Sequence, residues 1–254
     1  MISWKTTTMA RVSTLEETLF SFLNQNDLSD TEMVIVNDYP HQTLIFKHPQ
    51  VRIFNIKEPF KTIGEKENFA VEQCKGEIIA VTDDDDTYLS NHNSNIRKYF
   101  KEDTNILHWK GCFYNEPNIT SIEFIGNSGM VYSRKAWEKV GKHPVWNAGG
   151  DTMFSNKVHK LGGMVIAEPP NSEVSAFYRW KLSYEGLNGE DVGIFHQSGE
   201  GTDTLDKPSI IQRHSLHIES LRLKGIIPTG EIKLKPRWVR PYDKMLQDFN
   251  NKEK

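Results

Sequence analysis

Two cysteines in 254 residues, Cys74 and Cys112, supply neither a disulfide framework nor a thiolate zinc site. Cys74 also falls inside a helical pattern, so the expected setting is a reducing cytoplasm, where the sequon at Asn118 carries no meaning. No run of about 18 apolar residues occurs, so no transmembrane segment is expected. The start, Met1-Ile2-Ser3-Trp4-Lys5, lacks the apolar core of a signal peptide. Internal repeats are absent. The loop Thr6 to Arg11 contains no glycine, which argues against the phosphate-cradling loop that a nucleotidyltransferase would place after its first strand.

What is present suits a globular enzyme: 37% hydrophobic and 11% aromatic residues in a chain long enough to bury a sizeable core. The net charge of −3 hides an asymmetry, because Lys207 to Lys254 carries 11 basic against 5 acidic residues on an otherwise acidic body. A basic tail of that kind points to contact with a polyanion.

The chain is organised around Ile78-Ile79-Ala80-Val81-Thr82-Asp83-Asp84-Asp85-Asp86. A short apolar run reads as a buried strand and ends in four carboxylates that repel one another. A solvated acidic turn is one reading. The other is a divalent cation site, since hard Mg²⁺ or Mn²⁺ takes one or two carboxylates and leaves positions for substrate phosphates. Ligands of open α/β sheets sit outside the carboxyl ends of strands, which favours the cation site.

Ser13-Thr14-Leu15-Glu16 has the pattern of a capping box, and Leu15, Leu19, Phe22 and Leu23 fall at helical spacing up to about Gln25. Met33 to Val36 and Val51 to Ile56 read as strands, and Gly64 to Lys75 as a helix with Gly76 at its C-terminal cap. Strand and helix alternate over the first 90 residues, which predicts an α/β fold with a parallel sheet. Further on, strands are expected at 106–109, 122–125, 130–132 and 164–167. Helices are expected from a Ser133 cap to Val140, from Thr152 to Leu161, and from Pro208 to about Leu223. After Gly225 the Pro- and Lys/Arg-rich chain is expected to wrap the domain as an arm.

The order of these features resembles the GT-A glycosyltransferases, family 2 in particular. The pieces are Thr7-Thr8 to Arg11, Ser21-Phe22-Leu23-Asn24-Gln25, Val34-Ile35-Val36-Asn37-Asp38, Lys66-Glu67-Asn68-Phe69-Ala70, the Asp83–Asp86 run, and Gly150-Asp151 heading a helix. Tyr178-Arg179-Trp180 followed by Phe195-His196-Gln197-Ser198-Gly199 is similar to the end of some bacterial and phage members. The resemblance implies a GT-A, Rossmann-like fold over 1–205, with a nucleotide-binding half at 1–90 and an acceptor half and lid at 91–205. A C-terminal helix and basic arm would follow at 206–254.

It also implies roles. Thr7, Thr8 and Asp38 would contact the nucleoside, Asp83 the ribose, and Lys66 would supply charge to the phosphates, with Arg11, Asn68 and Asp84 also binding the donor. Asp83, Asp85 and His196 would hold Mn²⁺ or Mg²⁺, with Tyr184 to Gly201 as a lid. Asp151 would be the general base of an inverting transfer from a nucleotide-sugar, UDP being the commonest base in such families. The acceptor would be a glycan, a lipid-linked sugar or a modified DNA base. Two departures stand out: Gly150 removes one acid of a usual Glu-Asp pair, and Glu67 replaces an Arg. Two alternatives compete with a glycan acceptor. One is glycosylation of hydroxymethylated bases in phage DNA, for which the basic arm with Trp238 and Tyr242 speaks. The other is an inactive nucleotide-sugar or nucleic-acid binder.

Overall fold

Residues 33–36 are apolar at every position because both faces of their strand are covered. The computed structural model describes residues 1–115, 117–147, 149–179, 183–185, 191–193, 216 and 218–252. In it, β1 (Ile2–Thr8), α1 (Val12–Leu23), β2 (Thr31–Asn37), β3 (Gln42–Ile45), β4 (Val51–Asn55), α2 (Ile63–Gln73) and β5 (Ile78–Val81) form the first half. Strands β4, β2, β1 and β5 lie side by side and parallel. Trp4, Met33, Ile35 and Ala80 face α1 in one core, while Val34, Val36, Ile79 and Val81 face α2 in a second. Continuous apolar runs are what a two-sided parallel sheet requires.

The second half extends the same sheet. β6 (Thr87–Tyr88), α3 (His92–Tyr99), β7 (Ile106–Asn115), β8 (Asn118–Phe124), β9 (Val131–Ser133), α4 (Arg134–Lys139), α5 (Gly150–His159), β10 (Met164–Ala167) and β11 (Ala176–Arg179) follow in order. β9 joins antiparallel to β5 and to β7, and β7 carries β10 and β11 parallel and β8 antiparallel. The ten-stranded sheet is thus parallel over β4, β2, β1 and β5 and mixed beyond them, the mostly parallel GT-A-type arrangement expected. Ser133 caps α4 as expected, its Oγ accepting from Ala136 N at 3.1 Å.

Several local expectations are corrected. The capping box of α1 does not form: the helix starts at Val12, and Glu16 instead accepts from the backbone N of Lys235 at 2.7 Å. Gly76 is no helix cap, since α2 ends at Gln73 with an extended Cys74. A side chain at Gly76 would meet Met1 O at 2.6 Å and Ser3 Oγ at 2.7 Å, so close packing against β1 is what demands glycine there. Strand β3, unforeseen, pairs in parallel with β14 (Gly230–Lys233), after β12 (Ser183–Glu185) and β13 (Asp191–Gly193). The predicted helix from Pro208 lies largely outside the described residues, which are helical at 218–223.

The arm does wrap the body. Trp238 packs on Phe20 and Tyr242 at 5.2 and 5.4 Å between ring centroids. Tyr242, fully buried, opens a helix (Tyr242–Lys252) that seats Leu246 against Cys112, Tyr114 and Phe177. Of the two aromatics in the basic arm, Tyr242 is thus fully buried and Trp238 half-buried against the body. Among the described residues, no helix is long and apolar enough to cross a membrane.

Candidate active site

A cleft of about 340 Å³ opens beyond the carboxyl ends of β1 and β5, lined by Arg11, Glu67, Asp83, Asp85, Asp86 and Asp151 among others. The acidic run is split by the backbone. Asp83 and Asp85 are half-buried and face the cleft, while Asp84 and Asp86 are 0% and 3% exposed. Burial, with the Asp85 charge beside it, pushes the Asp83 carboxyl up to about 6. Asp84 is likewise pushed up to about 6 by burial, against the pull of Arg11. Asp86 rises well above the usual carboxylate range for the same first reason, burial, with Asp85 and Asp83 adding to it. Burial first, and mutual repulsion second, thus make these carboxylates costly to ionise.

Arg11 answers part of that charge. The chain leaves β1 through Ala10 at φ +64°, a left-handed conformation that costs an L residue on the order of 1 kcal/mol. Arg11 then lays its guanidinium on the run, with Nη2 at 2.5 Å from Asp84 and Nη1 at 2.6 Å from Asp85. A cation on Asp84 and Asp85 offsets part of the repulsion within the run.

From behind, Arg179 fixes the same loop. Its backbone N donates to Asp86 Oδ1 at 3.0 Å and its Nε to Asp85 O, while Nη1 pairs with the buried Glu17 and bonds Tyr242 Oη at 2.9 Å. Ser128, in the turn before β9, donates to Asp86. Tyr178, half-buried on the cleft wall, has its phenol held above the ordinary range by burial and then by Asp86, Asp85, Asp83 and Asp151, so its hydroxyl feels both the run and Asp151.

Asp151 stands in the first turn of α5, exposed and on the cleft. The N-cap is Gly149 at φ +65°, and no side chain caps the helix, so Asp151 is not spent as a cap. Asn127 Nδ2 donates to Thr152 Oγ1 at 3.2 Å and ties the start of this helix to the turn that carries Ser128.

The remaining predicted residues lie behind or beside the cleft. Thr7 Oγ1 donates to Glu67 at 2.8 Å, and Glu67 pairs with the buried Lys5, whose ammonium burial lowers to about 8. Lys66 Nζ bonds Asp38 at 2.6 Å and Thr8 O at 2.8 Å, and all three residues are buried. Asn68 clamps His143, its Oδ1 accepting from His143 N at 2.8 Å and its Nδ2 donating to His143 O at 2.9 Å. Arg11, Asp83, Asp85 and Asp151 are thus brought together on the cleft wall, whereas Thr7, Thr8, Asp38, Lys66, Asn68 and Asp84 are not among the residues lining it. His196 and most of the expected lid lie outside the described residues. Sequence reasoning missed Lys5, Glu17 and Arg179 as parts of the site. The signal of Lys5 and Glu17 was charge inside otherwise buried patterns, while Arg179 stood in the Tyr178-Arg179-Trp180 stretch of the resemblance without a role attached to it.

Among the described residues, no three His, Cys, Asp or Glu side chains are grouped to hold a metal ion. Asp83 and Asp85 nevertheless fit a hard cation that takes one or two carboxylates and completes its shell with substrate oxygens.

The sequence model described as Glycosyl transferase family 2 matches residues 4–161. Similar solved structures include TarS 1–349 from S. aureus in complex with UDP-GlcNAc, at 13% identity and a TM-score of 0.59, covering 85% of this chain and 66% of that one. The same protein without that ligand gives 14% identity, a TM-score of 0.55, and coverage of 70% and 60%. Mannosyltransferase PcManGT from Pyrobaculum calidifontis, in complex with GDP-Man and Mn²⁺, gives 14% identity, a TM-score of 0.53, and coverage of 97% and 68%. This chain therefore spans about two thirds or less of the staphylococcal chains. Among curated proteins no match is found. With the matched residues running from β1 through the acidic strand end to the end of α5, the chain belongs to glycosyl transferase family 2, a glycosyltransferase family, and has the GT-A fold.

Proposed function

We propose that the protein is an inverting, metal-dependent glycosyltransferase that moves a sugar from a nucleotide-sugar to an acceptor hydroxyl. The observation that carries this is the meeting of Asp83, Asp85 and Asp151 on one cleft at the carboxyl ends of parallel strands. Thr7, Thr8 and Asp38, at the ends of the paired strands β1 and β2, are assigned to the nucleoside. Asp83 and Asp85 would hold Mn²⁺ or Mg²⁺, together with His196 if the late segment reaches the site. Such an ion supplies neutralisation of the diphosphate as the glycosidic bond breaks. Arg11 leaves Asp85 when the donor enters and turns its charge to the diphosphate, while Asp84 keeps its other side. Asp151 takes the proton of the acceptor hydroxyl as that oxygen attacks the anomeric carbon, which inverts the configuration. UDP-GlcNAc and GDP-Man with Mn²⁺, bound by the two similar proteins, support a nucleotide-sugar and a divalent ion here.

The test is calorimetry with a panel of UDP- and GDP-sugars, with and without Mn²⁺, on the wild type and Asp85→Asn. One donor is expected to bind only with Mn²⁺ and to weaken at least about tenfold in the variant, the worth of one charge-assisted contact. Equal binding by the variant, or a donor indifferent to the metal, removes Asp85 from the proposed metal site.

A second reading makes a hydroxymethylated DNA base the acceptor. It rests on the exposed Lys233, Lys235 and Arg237 of the arm, since the neighbouring aromatics are occupied. Binding of a DNA duplex would then fall steeply with salt, and a flat response between about 50 and 200 mM salt would dispose of it.

A further inference from the structure

We propose that His108, Ser155 and His159 form a site for a divalent ion of the Zn²⁺ class, separate from the acidic run and its Mn²⁺ or Mg²⁺. None of the three lines the cleft, and the inference does not depend on the transfer chemistry.

Three ligand atoms from two elements converge here. His108 of β7 and Ser155 of α5 are buried, and His159 is half-buried at the end of α5. His108 Nε2 lies 2.9 Å from His159 Nε2. Ser155 Oγ lies 3.2 Å from His159 Nε2 and 3.4 Å from His108 Nε2. Ser155 and His159 reach the same spot because positions i and i+4 share one face of a helix. Zn²⁺ holds imidazole nitrogen at about 2.0–2.1 Å in tetrahedral geometry, which sets neighbouring ligand atoms about 3.3 Å apart. A triangle with the three observed edges has a point at that radius from every corner, just off its plane. The three atoms therefore already span one face of such a shell. Solvent reaches it from the side of His159 and supplies the fourth ligand.

The protonation pattern fits as well. A carbonyl can only accept, so His108 Nδ1, 3.1 Å from Gly126 O, carries the ring proton. In the neutral ring Nε2 is then a bare lone pair facing His159. Burial lowers the pKa of His108 against the pull of the Gly126 bond, and His159 lowers it further, so the ring stays neutral as a metal ligand must. An imidazole that donates its other N–H to a backbone carbonyl has the outer support that metal-binding histidines use. Phe124 covers the ring of His108, with centroids 5.7 Å apart.

Ligand type selects the ion. Among the described residues, no Cys, Asp or Glu joins the two imidazoles in a group of three. Two imidazoles and a hydroxyl suit Zn²⁺, Cu²⁺ or Ni²⁺, whereas Mg²⁺ and Mn²⁺ favour carboxylate and water. An ion here pins the last turn of α5 to β7. It also bears on the helix that carries Asp151, because Gly126 begins the turn in which Asn127 bonds Thr152 and Ser128 bonds Asp86.

The experiment titrates the full chain with Zn²⁺ by calorimetry and with Co²⁺ by visible absorption. Asp85→Asn serves as the background, to weaken ion binding at the acidic run, with and without His159→Gln. Four-coordinate Co²⁺ absorbs far more strongly than octahedral Co²⁺, so the band separates an imidazole site from a carboxylate one. One strongly absorbing Co²⁺ per chain is expected, with Zn²⁺ displacing it and raising the melting temperature. His159→Gln should bind Zn²⁺ at least about tenfold more weakly and lose both the band and the melting shift, since loss of even an outer-shell partner costs 10–100-fold. In a chain with Asp85 intact, His159→Gln should leave Mn²⁺-dependent donor binding as in the wild type. His108→Gln repeats the test from the buried side, and His159→Gln, at the half-buried position, decides the matter if that variant does not fold. Absence of the four-coordinate band, or Zn²⁺ binding that survives His159→Gln, overturns the site. A lower melting temperature in His159→Gln with Zn²⁺ affinity unmoved leaves the pair a structural hydrogen bond and overturns it equally. Mn²⁺ binding there as tightly as Zn²⁺ overturns the choice of ion.

Discussion

Asp151→Asn is expected to bind the nucleotide-sugar as the wild type does and to release nucleoside diphosphate about 10²–10⁴-fold more slowly, the contribution of a positioned general base. That factor corresponds to about 3–5 kcal/mol of barrier. The separation of binding from turnover follows from where the residue sits. Asp151 is exposed, accepts no capping bond and lies two residues beyond Gly149, which forms the N-cap. Removing its charge therefore costs the fold little, at most the ~0.3–1 kcal/mol that an acid in a first turn gains from the helix dipole. Gly150 has replaced the other acid of the usual pair, so no adjacent carboxylate takes over. Donor affinity by calorimetry and product release under single-turnover conditions separate the two effects. Unchanged release in the variant would show that another group takes the proton, and loss of donor binding would move Asp151 to the donor side.

The parts of this site that were legible in the sequence are those whose signal is local. The strand before Asp83 is apolar at successive positions because helices cover both faces of its sheet. A run of carboxylates at its end is costly enough to stand out, and Asp151 came from the resemblance, in which Gly150-Asp151 heads a helix. The parts that were not legible depend on partners far away in the chain. Lys5 meets Glu67, and Arg179 meets Glu17, across 62 and 162 residues respectively, and neither pair leaves a periodic trace. Glu67 read as a loss of positive charge from α2, and the structure pairs it with the buried Lys5 of β1. Arg11 read as a donor contact and is found on the acidic run, paired with Asp84 and Asp85. Strand β3 escaped notice because it is four residues long and completed by β14 from the far end of the chain. Glycine misled for a physical reason too: Gly76 is explained by the approach of β1, which no local pattern encodes.

Arg179→Met is expected to lower the melting temperature by roughly 10 °C. Its guanidinium is fully buried against Glu17, which is 2% exposed, and against Tyr242 Oη. Glu17 would keep its bonds from Tyr242 Oη at 3.1 Å and Val239 N at 2.8 Å, and Arg240 at 3.8 Å, but would lose its one fully buried countercharge among the described residues. Removing one partner of a buried pair costs about 3–5 kcal/mol, and in a domain of this size each kcal/mol moves the melting point by about 2–4 °C. The same guanidinium carries the bond from Nε to Asp85 O, so the loop bearing Asp83 and Asp85 loses a brace as well. Metal-dependent donor binding should therefore weaken alongside stability. The double variant Glu17→Gln/Arg179→Met separates the two causes, because it removes the stranded charge without restoring the brace. It should recover a substantial part of the melting temperature and little of the donor affinity. If Arg179→Met melted with the wild type, the pair would be no anchor. If the double variant regained donor binding in full, Arg179 would act on the site only through Glu17. Either result would locate the rigidity of the acidic loop elsewhere, with Ser128 on Asp86 and Thr18 on the Asp86 carbonyl at 2.7 Å as the remaining braces.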